Sequence, residues 1–226
     1  MRIVVFGANG GTGRRLIQQA LDRGHDVRAV TRQPRSFPVA GAGLEVVEAD
    51  VTVDAPVEGA DVVLSTLGAP YTRRPVTLYS RGTAMILAAM RRVDVRRLVV
   101  VSSGATEPHH HAEGGFLLNR VIQPLVTATI GKSTYVDMRA MEALVRDSGL
   151  DWTIVRPSGL FDSDSVTRYR LSENRSDGVF TSRADLAACL LDQAADRTWI
   201  GRTAAVTTAE GAPTLSAVLR REAFGR

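Results

Sequence analysis

A chain of 226 residues with 44% hydrophobic residues can bury one sizeable core, and because it has no run of 18 apolar residues, a transmembrane helix is not expected. The formal charge of +4 comes from basic residues that are spread along the chain with few aromatic residues between them, so nucleic-acid binding is not expected either. The sequence shows no secretion leader, and its single cysteine, Cys189, lies among alanines and leucines, so we expect a cytoplasmic protein without disulfides.

Strand-like and helix-like patterns alternate along most of the chain. Apolar runs rich in β-branched residues predict strands over 2–6, 27–31, 44–49, 61–66, 97–102, 152–156 and 203–207. Helical spacing of apolar residues predicts helices over 12–23, 77–92, 137–148 and 184–194, with Gly24 as the C-terminal cap of the first. This alternation is typical of βαβ units. It predicts an α/β fold: one Rossmann-like domain over 1–226, with a doubly wound parallel sheet, helices on both faces and a small C-terminal substrate lobe. The tail after about residue 208 has no assignment.

Closely spaced glycines join the first strand to the first helix in the stretch Gly-Ala-Asn-Gly-Gly-Thr-Gly. A turn of this kind predicts a diphosphate site, in which Gly7 makes the tight turn, Gly10 lets a phosphate approach the backbone and Gly13 packs the helix onto the strand. The alternative is a structural turn that uses glycines for positive φ. The predicted dinucleotide-binding residues of the turn are Gly7, Asn9, Gly10, Gly11, Thr12 and Gly13.

The second strand ends at Thr31-Arg32, where NAD-specific sites carry an acidic residue for the ribose 2′-hydroxyl. A carboxylate at this position repels a 2′-phosphate, whereas a guanidinium binds one through charge-assisted hydrogen bonds. We therefore expect NADP(H) in preference to NAD(H). The alternative is that Arg32 is a solvated loop arginine.

Two further strand ends supply candidate coenzyme residues. Asp50 and Val51 follow the third strand and are expected to flank the adenine, although an aspartate at a strand end can also cap a turn. Leu67 and Gly68 follow the fourth strand, where the glycine allows a ribose or phosphate to approach the backbone, or forms a structural turn.

Three stretches resemble the atypical short-chain dehydrogenase/reductases: the glycine-rich turn at 7–13, Val-Val-Val-Ser-Ser-Gly-Ala-Thr at 99–106 and Ser-Gly-Leu-Asp-Trp-Thr-Ile-Val-Arg-Pro at 148–157. The chain is most similar to the NmrA-like, NAD(P)H-binding group, which includes biliverdin-IXβ/flavin reductases and quinone or azo-dye reductases. The resemblance extends to about Thr208. It implies a diphosphate on the glycine-rich turn and a nicotinamide near Pro157 and Ser158.

The catalytic residues of that superfamily do not match this chain. They comprise a Ser or Thr after the fifth strand and a Tyr-x-x-x-Lys on the following helix, where the tyrosine is the general acid/base. In some members the lysine stands four residues before a glutamate. If Glu142 is that glutamate, the lysine position falls on Met138 and the tyrosine position on Thr134. The hydroxyl position falls on Gly104, so all three roles are vacant by this comparison.

Ser103 and Tyr135 remain as catalytic candidates. Tyr135 and Arg139 have the superfamily's spacing but lie one residue out of register, which turns a helix by about 100°, and an arginine cannot relay protons. Ser102 and Ser103 could hydrogen-bond the nicotinamide ribose or the substrate. No metal site is expected, because the adjacent histidines at 109–111 cannot all face one ion and lack ligand partners.

Together these features predict an NADPH-dependent reductase of a small-molecule acceptor such as a flavin or quinone, whose reduced form solvent can protonate while the enzyme supplies orientation. A non-catalytic NADP(H)-sensing regulator that reports to a partner protein is the alternative from another class. A sugar-nucleotide epimerase or dehydratase is the third, but it needs the Tyr/Lys pair.

Overall fold

The computed structural model describes residues 1–70, 74–107, 131–175 and 178–213. Its strands are β1 Arg2–Phe6, β2 Asp26–Thr31, β3 Leu44–Glu48, β4 Val62–Ser65, β5 Arg97–Val101, β6 Asp151–Pro157, β7 Gly159–Phe161, β8 Tyr169–Glu173, β9 Phe180–Ser182 and β10 Arg202–Thr208. Its α-helices are α1 Gly11–Asp22, α2 Leu78–Arg92, α3 Lys132–Arg146 and α4 Arg183–Ala195. Short 3-10 turns lie at Pro34–Ser36 and Gly104–Thr106.

The main sheet has eight strands in the order β3-β2-β1-β4-β5-β6-β10-β8, and a second, two-stranded sheet pairs β7 with β9. The chain leaves β1 toward β2 and β3 on one side and continues at β4 on the other, so the strand order reverses between β1 and β4. Neighbouring strands are parallel throughout, except that β8 is antiparallel to β10 at one edge. The Rossmann-like α/β fold predicted from the sequence is confirmed, but the sheet is mixed rather than all parallel.

Helices cover both faces of the sheet, as alternation along the strands requires. Phe6 and Leu98 point to the face covered by α2 and α3. Their neighbours Val5 and Val99 point to the face covered by α1 and α4, where Cys189 is fully buried. These two apolar layers fix the positions of the helix N-termini at the carboxyl edge of the sheet.

Every predicted strand and helix is present, and all their ends lie within one residue of the prediction except those of α3. This helix begins at Lys132, five residues before the expected Asp137. The carboxylate of Asp137 accepts hydrogen bonds from the backbone N–H of Tyr79 at 2.8 Å and of Ser80 at 3.3 Å, so it caps α2 instead of beginning its own helix. Tyr135, which lies in the extra turn, packs into the core and holds this turn in place.

The N-terminus of α4 is fixed by a buried carboxylate. Ser182 caps the helix by accepting a hydrogen bond from the backbone N–H of Asp185 at 3.0 Å. The Asp185 carboxylate is fully buried and accepts from the backbone N–H of Thr167 at 2.6 Å and from the hydroxyl of Thr208. These bonds tie the segment before β8 to α4 and to the end of β10, and so position Arg183, the first residue of α4.

Candidate coenzyme site

A cavity of about 440 Å³ opens at the carboxyl ends of β1 and β4, where the strand order reverses. Open α/β sheets bind their ligands at this position. Most of the residues predicted to bind the coenzyme line the cavity: Gly7, Asn9, Gly10, Gly11, Thr12, Arg32, Asp50, Val51, Leu67 and Gly68. The other predicted residues, Gly13, Ser102 and Pro157, are buried. The structure thus brings together residues from four strand ends, and their contact with a coenzyme stays a prediction.

Two glycines of the turn are required by the fold itself. Gly7 has a φ of +75°, and a Cβ added there would lie 2.4 Å from the carbonyl oxygen of Thr66. A Cβ on Gly13 would lie 2.4 Å from the carbonyl oxygen of Gly7. Because both obstacles are backbone atoms, which cannot move aside, these positions exclude any side chain with or without a ligand.

The glycine at position 68 is not required by the fold. Apart from its chain neighbours, no atom of the described residues lies within 4 Å of a Cβ added to Gly68, and the residue lies exposed on the wall of the cavity. Although the space at this position would allow a small side chain, the residue is glycine, which lets a ligand approach the backbone closely. The cavity wall therefore fits a bound dinucleotide at this position.

The N-terminus of α1 forms the floor of the cavity. Gly10 precedes the helix without a side-chain capping bond, and the first turn contains no acidic residue. The unpaired N–H groups and the positive end of the helix dipole therefore favour an anion. Asn9 is held by the guanidinium of Arg14, whose Nε donates to its Oδ1 at 3.0 Å. This arrangement suits a diphosphate.

Arg32 and Asp50 lie exposed on the cavity wall at the ends of β2 and β3. The backbone N–H and the hydroxyl of Thr52 donate to Asp50 Oδ1 at 2.9 and 2.8 Å, which lowers the pKa of the Asp50 carboxyl. The positive charges of Arg32 and Arg81 lower this pKa further. One oxygen of Asp50 thus caps a local turn, as the alternative interpretation expected, while the residue still faces the cavity.

The candidate catalytic hydroxyls are engaged in the fold. Tyr135 is only 6% exposed and packs in the core beside Met138. Ser103 accepts a hydrogen bond from the backbone N–H of Ala105 at 3.2 Å and caps the turn after β5. Among the residues that the structure describes, neither lines the cavity. A catalytic role for either residue stays a prediction.

A buried ion pair that the sequence analysis missed lies beneath the ends of β5 and β6. Arg156 donates from Nε to Glu142 Oε1 at 2.8 Å and from its terminal nitrogen to Oε2 at 2.6 Å, and these side chains are 2% and 1% exposed. The same nitrogen donates to Glu107 at 3.1 Å. Burial is the largest single influence and raises the pKa of the Glu142 carboxyl, but the hydrogen bonds that it accepts and the positive charges of Arg156 and Arg146 together bring this pKa below its ordinary value. The pair is therefore charged and fixes the strand ends next to the cavity.

Arg183 and Leu160 also line the cavity, although no sequence pattern pointed to them. Leu160 lies on β7, and Arg183 begins α4 directly after β9, in a part of the chain whose short strands lack a clear periodicity. Only the Ser-Arg-Ala-Asp stretch at 182–185, a recognisable helix cap, could have placed Arg183 at the start of a helix.

No group of three His, Cys, Asp or Glu side chains that could hold a metal ion is found in the described part of the chain. The histidines at 109–111 lie outside the described residues, as does most of the loop at 106–130 that contains them. Within the described ranges, no helix has the length and apolar character needed to cross a bilayer.

A family model described as NAD(P)H-binding matches residues 7–197. An uncharacterized chloroplastic protein of Arabidopsis thaliana is 30% identical over 178 residues, which cover 70% of this chain and 59% of that protein. An uncharacterized sugar epimerase of Bacillus subtilis is 25% identical over 201 residues, covering 84% and 86%. The (4-alkanoyl-5-oxo-2,5-dihydrofuran-3-yl)methyl phosphate reductase of Streptomyces griseus is 30% identical over 159 residues, covering 69% and 46%. The chain thus spans about half the length of two of these three relatives.

Solved structures share the fold. An oxidoreductase of Lactococcus lactis superposes with a TM-score of 0.76 at 15% identity, covering 92% of this chain and 91% of that one. A short-chain dehydrogenase/reductase of Veillonella parvula, solved in complex with NADP, superposes with a TM-score of 0.73 at 21% identity, covering 92% and 95%. The family model, the glycine-rich turn and the cavity agree with one another: this chain belongs to the NAD(P)H-binding family and has a Rossmann-like fold.

Proposed function

We propose that this protein is an NADPH-dependent reductase of an electron-poor acceptor, of the flavin or quinone class, that works without a Tyr/Lys dyad. The observation that carries the coenzyme preference is the guanidinium of Arg32 on the exposed wall of the cavity, at the end of β2. A cation at this position attracts the 2′-phosphate that distinguishes NADPH from NADH. The reductase from Streptomyces griseus and the NADP complex from Veillonella parvula support the proposal by similarity.

Each part of the cavity has its own role in holding the coenzyme. The N-terminus of α1 binds the diphosphate, Arg32 binds the 2′-phosphate, and Val51 and Leu67 provide apolar walls for the adenosine half. When bound, the coenzyme supplies a hydride that reduces the acceptor by two electrons, and water supplies the proton that completes its reduced form. The protein contributes mainly orientation and exclusion of water.

The residues at the superfamily's catalytic positions support a reaction that needs no proton relay from the protein. Thr134 and Met138, at the tyrosine and lysine positions, are 2% and 8% exposed and pack against the core instead of facing the cavity. A sugar epimerase or dehydratase of this superfamily requires the tyrosine as general acid/base. We therefore do not propose an epimerase or dehydratase reaction, although the Bacillus relative is named as a sugar epimerase.

Turnover tests the proposal directly. Purified protein is mixed with NADPH and with FMN, menadione or an azo dye in turn, and oxidation is followed by the loss of nicotinamide absorbance. We expect turnover with at least one acceptor. NADPH binding without turnover of any of them would contradict the reductase assignment and favour the NADP(H)-sensing regulator.

Replacing Arg32 with alanine should weaken NADPH binding by about 1.5 to 3 kcal/mol, or roughly ten- to hundredfold, because one charge-assisted contact is lost. NADH binding should change little. Calorimetric titration with both coenzymes measures the difference. Arg35→Ala is the matched control, since Arg35 is exposed three residues further on and lies outside the cavity lining. An equal loss for both coenzymes in the Arg32 variant would show that Arg32 does not read the 2′-phosphate.

A further inference from the structure

Two arginines, one of which lines the cavity, share one carboxylate. Asp162 Oδ1 lies 3.2 Å from a terminal nitrogen of Arg15 and 3.2 Å from a terminal nitrogen of Arg183. The arginine side chains are 31% and 29% exposed, whereas that of Asp162 is 69% exposed. The two guanidinium groups are therefore partly enclosed, and the anion that joins them lies on the solvent side.

Arg183 lies directly over the glycine-rich turn. A Cβ added to Gly11 would come within 3.0 Å of Arg183 Cδ and 3.1 Å of its Nε, and Arg183 itself lines the cavity. Gly11 has no positive φ, and the three atoms nearest to such a Cβ, apart from those of its chain neighbours and of the helix backbone, all belong to arginine side chains. The missing side chain at Gly11 thus makes room for the stem of Arg183 against the first residue of α1.

A cation at this place is unfavourable unless an anion accompanies it. The N-terminus of α1 carries the positive end of the helix dipole, its first turn contains no acidic residue, and Arg15 adds a second charge. Asp162 supplies one negative charge and leaves the group positive. A diphosphate supplies two charges and several acceptor oxygens in the same place, so it can displace the exposed carboxylate.

We propose that Arg183 binds the coenzyme diphosphate and that Asp162 holds the Arg183 guanidinium until the coenzyme replaces it. Asp162 then acts as a competitor of the ligand, which lowers affinity but keeps the guanidinium positioned. This inference rests on the proposed coenzyme site and is independent of which acceptor is reduced. The two arginines then have different roles: Arg32 distinguishes NADPH from NADH, whereas Arg183 binds the diphosphate that both coenzymes contain.

Binding of ADP-ribose, NADH and NADPH, measured by calorimetry, tests the first half of the proposal. Arg183→Ala should weaken all three by about ten- to hundredfold, and Arg183→Lys should lose less because it keeps the charge. Arg168→Ala is the control, since Arg168 is 83% exposed and pairs with Glu210 away from the cavity. Unchanged affinities in a folded Arg183→Ala variant would overturn the proposal. If the unmodified protein binds none of the three ligands, the proposed function itself fails.

A double-mutant cycle tests the competition. Asp162→Asn should tighten NADPH and NADH binding by about three- to tenfold. The gain should be smaller in the Arg183→Ala background, because there the substitution frees only the Arg15 guanidinium from the carboxylate. Glu210→Gln removes an exposed, arginine-paired carboxylate that lies away from the cavity, and should leave both affinities nearly unchanged. If Asp162→Asn increases coenzyme affinity equally with and without Arg183, the carboxylate acts only through long-range electrostatic repulsion of the coenzyme. That result would contradict its role as competitor for Arg183.

Discussion

Replacing Glu142 with glutamine is expected to lower the free energy of unfolding by about 3 to 5 kcal/mol, the cost of leaving a buried charge without its partner. Arg156 is 2% exposed and donates two of its hydrogen bonds to Glu142. The amide of a glutamine can accept one bond but carries no charge, and Glu107 is 48% exposed and reaches only one nitrogen. Urea unfolding of both proteins near pH 7 measures the difference.

The loss should depend on pH in a defined direction. Because the pKa of Glu142 is lowered on folding, its ionised form stabilises the protein above the ordinary value of 4.5, and this contribution disappears as the pH falls through the folded-state pKa. The stability difference between the variant and the unmodified protein should therefore begin to shrink below about pH 4.5 and disappear once the pH is below the lower, folded-state pKa. Glu58→Gln is the control: its pair with Arg92 is more than half exposed, and its removal should cost less than about 1 kcal/mol. Equal losses at both glutamates would contradict the account of the buried pair.

Replacing Gly13 with alanine is expected to destabilise the fold by more than about 2 kcal/mol, although alanine is a better helix former than glycine by about 1 kcal/mol. The added Cβ would meet the carbonyl oxygens of Gly7 and Ala8 at 2.4 and 2.8 Å, and neither can move without opening the turn. Thermal unfolding without coenzyme measures the effect. Gly24, whose φ is +74°, makes a poor comparison because there the strain lies in the backbone itself.

Gly68→Ala is the matched comparison, and its effects should be the opposite. Among the residues that the structure describes, only chain neighbours approach the added Cβ within 4 Å, so the melting temperature without coenzyme should stay the same or rise slightly as the unfolded chain loses freedom. Coenzyme affinity should fall, because the methyl group enters the cavity. If Gly68→Ala binds NADPH as well as the unmodified protein, the coenzyme does not approach this part of the wall. If Gly13→Ala leaves stability unchanged, the glycine-rich turn is looser than its contacts indicate.

The features that sequence predicted best are those encoded by neighbouring residues. The apolar runs of β1 and β5, the amphipathic spacing in α1 and the glycines at 7–13 each specify local structure, and the carboxyl-end rule then placed Arg32 and Gly68 on one cavity. The predicted start of α3 was wrong because it depends on contacts with distant residues. Its first turn is stabilised by packing of Tyr135 against other elements, and Asp137, which has the character of a helix cap, caps α2 across the interface.

The remaining parts of the site depend on contacts between distant residues. Glu142 lies on α3 and Arg156 on β6. Taken alone, each charged residue would be expected to lie exposed on the surface, whereas the two form a buried pair. Arg183 approaches Gly11 only because α4 packs beside α1, with its first residue fixed by the bonds of Asp185. Strands β7 to β9 contain only three to five residues each, too few for a period to be visible.

The most direct measurement is a calorimetric titration of the purified protein with NADPH and NADH at physiological concentrations. The account predicts saturable binding of NADPH at one site per chain, with NADH weaker by roughly tenfold or more, since it lacks the phosphate that Arg32 attracts. Failure of both coenzymes to bind would contradict the assignment of the cavity at the N-terminus of α1.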